Sequence, residues 1–214
     1  MDSGTRARAW FGLTAFVVFS GLVIQLFVAA DADPVYFDTA AGRVVNVLFY
    51  FTIQSNIVVG VTCLLLALEL GRRSTAFSTF RLIGLVGIII TGVVYHGVIA
   101  DTVDFENWAL VADNLTHTIV PIMAVVGWLM FGPRHLTSRP VMWLSLLFPV
   151  LYMVVTVIRG AIVDFYPYHF ADVIDLGYLR VAVNGVWITV LYLGVAAVAG
   201  SLDDWLARVG ARSD

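Results

Sequence analysis

Two short stretches place reactive side-chain types at helical spacing inside otherwise oily sequence. The first, FYFTIQSNIVVG (residues 49–60), carries Thr52, Gln54, Ser55 and Asn56; the second, DNLTHTIVP (residues 113–121), carries Asp113, Asn114 and His117. At about 100° per residue, Thr52, Ser55 and Asn56 share one helix face while Gln54 points elsewhere, and Asp113, Asn114 and His117 share another. A hydroxyl beside an imidazole is the pairing that nucleophilic catalysis needs. A neutral alcohol attacks poorly and must give its proton to a neighbouring base. An imidazole changes charge near neutral pH and suits that work. Asp113 or Asn114, one turn away, is placed to hold the ring's other nitrogen. Both Thr52 and Ser55 offer the alcohol.

Other polar groups fall at similar depth. His96 stands near the end of the third apolar stretch, Arg159 near the end of the fifth, and Asn184 just inside the sixth. Tyr152, Thr156 and Arg159 form a stripe at i, i+4 and i+7. Arg159 is expected to hold an acidic group of a ligand, with His96 and Asn184 as further ligand contacts. A tetrahedral intermediate also needs donors for its oxyanion. Amides within a continuous helix are already bonded to carbonyls, so the expected donors are the side chains of Asn56, Tyr95 or Asn114. Pro121 cannot bond the carbonyl four residues back, which belongs to His117, so the backbone is expected to loosen there.

These residues are positioned by membrane helices. The 214-residue chain is 60% hydrophobic and 13% charged, with a mean hydropathy of +0.93. A hydrocarbon core of about 30 Å takes about 20 helical residues to cross. Six stretches qualify, at roughly 10–30, 44–69, 80–100, 110–132, 140–161 and 178–200, and no alternating barrel pattern is present. The connectors are short, so residues 1–214 read as one all-α, six-span domain. Thr52 then lies about 12 Å below the outer end of the second span and His117 about 10 Å below that of the fourth, at 1.5 Å per residue. The two are expected to face one another.

All twelve basic residues are arginine, and nine of them (Arg6, Arg8, Arg72, Arg73, Arg81, Arg134, Arg139, Arg208 and Arg212) flank alternate span ends. By the positive-inside rule both termini are cytoplasmic. Acidic residues such as Asp31, Asp101 and Asp164 collect at the other side. The run after Arg6 and Arg8 imitates a signal peptide but is long for one, and is read as a retained first helix. Cys63, alone inside the second span, excludes an internal disulfide and a multi-cysteine metal site. The arginines form no stripe that would track a phosphate backbone, which argues against nucleic acid as a partner.

Six short-looped spans, a threonine after aromatic residues ("FYFT") and "NLTHT" opening the fourth span together resemble the androgen-induced gene family, which includes the androgen-dependent TFPI-regulating protein and bacterial six-span relatives. The resemblance runs from about residue 10 to residue 200. Its animal members are integral membrane hydrolases that cleave esters of fatty acids with hydroxy fatty acids, using a threonine nucleophile and a histidine. The resemblance implies Thr52 as nucleophile and His117 as its partner, a lipid ester drawn from the bilayer as substrate, no cofactor or metal, and residence in a bacterial-type inner membrane. The context "FTIQSN" departs from the animal pattern, and Ser55 stays a rival nucleophile.

Readings from other classes differ in what they require. An intramembrane serine protease needs a Gly-x-Ser-Gly element that is missing. A haem carrier would use His96 and His117 as axial ligands. A non-catalytic binder or transporter of lipids or small amphiphiles would use the same polar face as its ligand site.

Overall fold

A backbone group left unpaired in lipid costs several kcal/mol, so long apolar runs without turn chemistry close into helices. The computed structural model describes residues 2–210 and is almost wholly helical, with no strand among the described residues. The elements are α1 (Ser3–Asp31), α2 (Ala40–Val47), α3 (Phe51–Leu68), α4 (Thr75–Val94), α5 (Asn107–Asn114), α6 (Val120–Phe131), α7 (Arg139–Ser145), α8 (Leu147–Val163) and α9 (Val173–Gly210). A π-helical turn, Tyr95–Ile99, prolongs α4, and a second, Leu115–Ile119, joins α5 to α6. Six stretches are long and apolar enough to cross a membrane: Ser3–Asp31, Phe51–Leu68, Thr75–Thr102, Asn107–Phe131, Arg139–Val163 and Val173–Gly210.

Four of these fall within several residues of the stretches expected from the sequence, and the sixth runs about ten residues further and is interrupted at Gly177, whose φ of 73° is non-helical. The second differs in kind. Instead of one helix over 44–69, the chain forms α2, breaks at Leu48–Tyr50 and restarts as α3 at Phe51. No glycine or proline marks the break. Side chains from elsewhere satisfy its carbonyls: Gln54 Nε2 donates to Leu48 O at 3.0 Å and the Tyr152 hydroxyl to Phe49 O at 3.1 Å.

Helices α1, α3, α4 and α6 pack around Phe11, Val18, Val59, Leu66, Ile88 and Val120, all essentially inaccessible to solvent. Helix α9 docks on α4 through Val86, Ile90, Tyr192 and Ala196. Contacts fix which ends lie together. Arg8 Nη1 donates to Leu68 O at 2.8 Å, Arg134 pairs with the buried Asp203 at 3.6 Å, and the His135 amide donates to Asp203 Oδ2 at 2.8 Å. The start of α1, the end of α3, the loop before α7 and the last part of α9 therefore share one arginine-rich end. At the other end Arg43 donates to the carbonyls of Ala29, Ala30, Phe37 and Asp38, tying the last turn of α1 to the loop that follows it. That guanidinium caps a helix C-terminus whose carbonyls have no partner within the helix.

Candidate active site

The break before α3 decides the surroundings of Thr52. With Phe51 as the first helical residue, Thr52 occupies the second position of a helix rather than the middle of one. The first intrahelical amide bond is that of Gln54, to Tyr50 O at 3.1 Å, so the amides of Phe51, Thr52 and Ile53 have no helical acceptor. The expectation that every backbone amide near Thr52 is consumed by a continuous helix is corrected by this geometry. The Thr52 N–H instead meets the Tyr168 hydroxyl at 3.4 Å.

His117 reaches the same point from the π turn Leu115–Ile119. The Val120 amide bonds back to Leu115 O, five residues away, and the wider turn lies immediately before Pro121, where the proline leaves the His117 carbonyl without its usual partner. Gly92 makes room for this segment: a Cβ there would stand 3.2 Å from Pro121 Cβ and 3.6 Å from His117 O. His117 Nε2 lies 3.3 Å from Thr52 Oγ1. On its other side Nδ1 lies 2.9 Å from Asp113 Oδ1. That oxygen is off the N–H direction, so the contact is electrostatic rather than an aligned hydrogen bond. Thr116 Oγ1, at 3.3 Å from Nδ1, is a second neighbour of the same nitrogen. Tyr95 donates its hydroxyl to Asp113 Oδ2 at 2.5 Å, and its ring stacks on the imidazole with centroids 4.1 Å apart. The result is a line Thr52, His117, Asp113, Tyr95 that runs across three helical segments.

The reactive end of that line opens on an apolar chamber of about 280 Å³ between α3, α4, α8 and α9. Its lining includes Thr52, His117, Thr91, Tyr95, Tyr168 and Asn184 among apolar residues such as Ile90, Val94, Met153, Trp187 and Leu191. Tyr152 also lines it, with a smaller cavity of about 160 Å³ beside Phe49 and Gln54 on its far side.

The remaining expected site residues separate into those at the chamber and those elsewhere. Asn184 lines the chamber and donates to Phe170 O at 2.8 Å. Asn56 lies directly behind Thr52, both amide hydrogens committed to Thr52 O at 2.9 Å and Thr116 O at 3.2 Å, which leaves no donor for an oxyanion. Tyr95 is likewise committed to Asp113, and Asn114 is exposed and donates to Leu110 O at 2.9 Å. Ser55 is wholly buried against Gly87, where a Cβ would come within 2.6 Å of its Oγ, and it does not line the chamber. Arg159 stands over the rings of Phe49 at 4.1 Å and Phe37 at 5.5 Å, outside the chamber. The π system takes the place of a ligand's acidic group. His96 is exposed, with Nε2 3.0 Å from Thr118 Oγ1. With the two nitrogens of His117 facing Thr52 and Asp113, the arrangement gives no support to a haem held between His96 and His117.

Sequence reasoning passed over Tyr168, in the loop between α8 and α9. "YPYH" reads as turn chemistry, and nothing local shows that its second tyrosine folds back onto Thr52, 116 positions away in the chain. Among the described residues no three or more histidine, cysteine, aspartate or glutamate side chains gather as a metal site. No protein-family model matches the chain, and comparison with curated proteins and with solved structures gives no significant match.

Proposed function

We propose that the protein is a membrane-embedded hydrolase of lipid esters, with Thr52 as nucleophile and His117 as its base, and that it is a bacterial-type relative of the androgen-induced gene family. The observation that carries this reading is the 3.3 Å approach of His117 Nε2 to Thr52 Oγ1 on the wall of an otherwise apolar chamber. Thr52 Oγ1 attacks the ester carbonyl carbon while its proton passes to His117 Nε2. The tetrahedral intermediate collapses, the C–O bond to the alcohol breaks, and His117 returns the proton to the departing oxygen. Water, deprotonated by the same nitrogen, then cleaves the acyl-threonine and restores the enzyme. Asp113 stabilises the imidazolium, and Tyr95 holds Asp113 in place by its hydroxyl. Substrate enters sideways from the lipid, where its chains already lie. In this reading the arginine-rich end faces the cytoplasm, with both termini there, and the chain resides in an inner membrane.

Labelling of the purified, detergent-solubilised protein with a fluorophosphonate tests the assignment. Label on wild type and Ser55→Ala, absent from Thr52→Ala and His117→Ala, is expected. A folded wild type that takes no label refutes it. The second reading, a non-catalytic lipid binder, is favoured by the off-line contact of Asp113 with His117 and would then stand, with the chamber as the ligand site.

A further inference from the structure

The proposed reaction needs donors for the carbonyl oxygen as it becomes negative, and the three side chains expected for that task are committed elsewhere. Tyr168 is not. Its hydroxyl stands 3.4 Å from Thr52 Oγ1 and 3.4 Å from Thr52 N, so it touches both the nucleophile and the nearest free amide of the α3 N-terminus. A neutral phenol oxygen accepting from an amide in the first turn of a helix marks where a negative oxygen would be better held, because such N–H groups and the helix dipole both favour anions.

We infer that Tyr168 is a catalytic residue: with the Thr52 amide it forms the oxyanion site, its O–H donating to the oxygen of the tetrahedral intermediate. The inference rests on the hydrolase reading given above. On attack, Oγ1 loses its proton to His117 and forms the bond to carbon, and the carbonyl π pair moves onto oxygen. That oxygen is two bonds from Oγ1, between the Tyr168 hydroxyl and the Thr52 N–H. The phenol O–H, which among the described residues has Thr52 Oγ1 in reach at 3.4 Å, turns to the stronger acceptor. Tyr168 lies in the loop outside the spans, where burial pushes the phenol up and keeps its proton in place at neutral pH. The loop is anchored for this purpose: Asn184 holds Phe170 O, and Phe170 stacks on the Tyr168 ring with centroids 5.2 Å apart. Asn184 is thus a positioning residue that acts through the loop.

The test compares wild type, Tyr168→Phe and the neighbouring control Tyr50→Phe in full-length protein, using a p-nitrophenyl acyl ester and its thionoester, in which sulfur replaces the carbonyl oxygen. Loss of one oxyanion donor lowers kcat by about 100-fold or more. Tyr168→Phe is expected to show that loss on the oxygen ester with little change in KM and an unchanged thermal melt, with Tyr50→Phe near wild type. Sulfur is a poor hydrogen-bond acceptor, so the rate ratio of ester to thionoester is expected to fall about tenfold or more in Tyr168→Phe. Equal slowing of both substrates, or no slowing, overturns the oxyanion role while leaving Thr52 and His117 intact. Failure of wild type to hydrolyse the ester and to label at Thr52 overturns the hydrolase reading and this inference with it.

Discussion

Replacing Asp113 by asparagine separates the two things that a carboxylate beside His117 would do. The side chain is buried and touches two partners, Tyr95 at 2.5 Å and His117 Nδ1 at 2.9 Å. Asparagine keeps the shape and an oxygen for the Tyr95 hydroxyl, so stability is expected to drop by about 1 kcal/mol or less, the scale of one neutral hydrogen bond. Its NH₂ then faces Nδ1 and donates into it, which moves the ring proton to Nε2, the nitrogen that must accept from Thr52. Where this happens with a well-aligned carboxylate the loss in kcat is about 10⁴-fold. Here the carboxylate is off the N–H line, and Thr116 Oγ1 at 3.3 Å can accept from an Nδ1–H and preserve the working tautomer part of the time. The expected loss is therefore smaller, about 100-fold, or about 2.7 kcal/mol at 1.36 kcal/mol per factor of ten. Ester turnover and the rate of fluorophosphonate labelling should fall together, with the thermal melt in detergent within a few degrees of wild type. Turnover within twofold of wild type would refute the assignment of Asp113 to the imidazole. A large loss of turnover with unchanged labelling would instead place Asp113 in deacylation alone.

Two further substitutions probe the scaffold around that line. Gly92→Ala places a methyl 3.2 Å from Pro121 Cβ, and because a proline ring cannot swing aside, the segment carrying His117 must shift by a few tenths of an ångström. The 3.3 Å Thr52 to His117 contact is already long, so a fall in kcat of about tenfold is expected for about 1 kcal/mol of overpacking; full activity would show that this register is not critical. Arg43→Met removes the guanidinium that holds four carbonyls at the end of α1, and is expected to lower stability by about 2 kcal/mol, read as a drop in the melting temperature, with turnover of the folded protein retained at low temperature.

The helices were legible because hydrophobic length is enforced locally; α1 ends within a residue of the expected boundary, whereas α1 and α4 start five to seven residues earlier than expected and run through Arg6, Arg8 and Arg81, because a helix need not stop where its apolar run does. Thr52 and His117 were legible as a pair because polar groups set in apolar stretches are costly to leave alone and are drawn together. Three features lay beyond that reach. The break at Leu48–Tyr50 sits in "LFYF", which looks like uninterrupted span; it is held open by Gln54 and Tyr152, whose hydrogen bonds to its carbonyls are not encoded in the local pattern. Arg159 follows the stripe of Tyr152 and Thr156 as the spacing indicated, yet a neighbouring pair of phenylalanine rings satisfies it, and periodicity cannot tell an aromatic partner from an anionic one. Ser55 shares a face with Thr52 by angle, but one turn deeper that face meets Gly87 instead of the chamber.

The break and the polar patch belong to one physical problem. Interrupting a helix exposes carbonyls on one side and amides on the other, and each unpaired group is costly unless something meets it. Gln54 and Tyr152 meet the carbonyls of Leu48 and Phe49, whereas the Thr52 amide meets the oxygen of Tyr168 at 3.4 Å. The carbonyl side is thus closed with direct bonds near 3 Å, and the amide side is left loosely satisfied beside Thr52 on the chamber wall. A scaffold selected only for stability would tighten both sides, since weak satisfaction of a buried donor forfeits about 1 kcal/mol or more. Leaving the weak side next to an alcohol and an imidazole makes the amides available when a stronger acceptor arrives. On the proposed reading that acceptor is the carbonyl oxygen of an ester, and the break before α3 is what leaves an amide available to stabilise it.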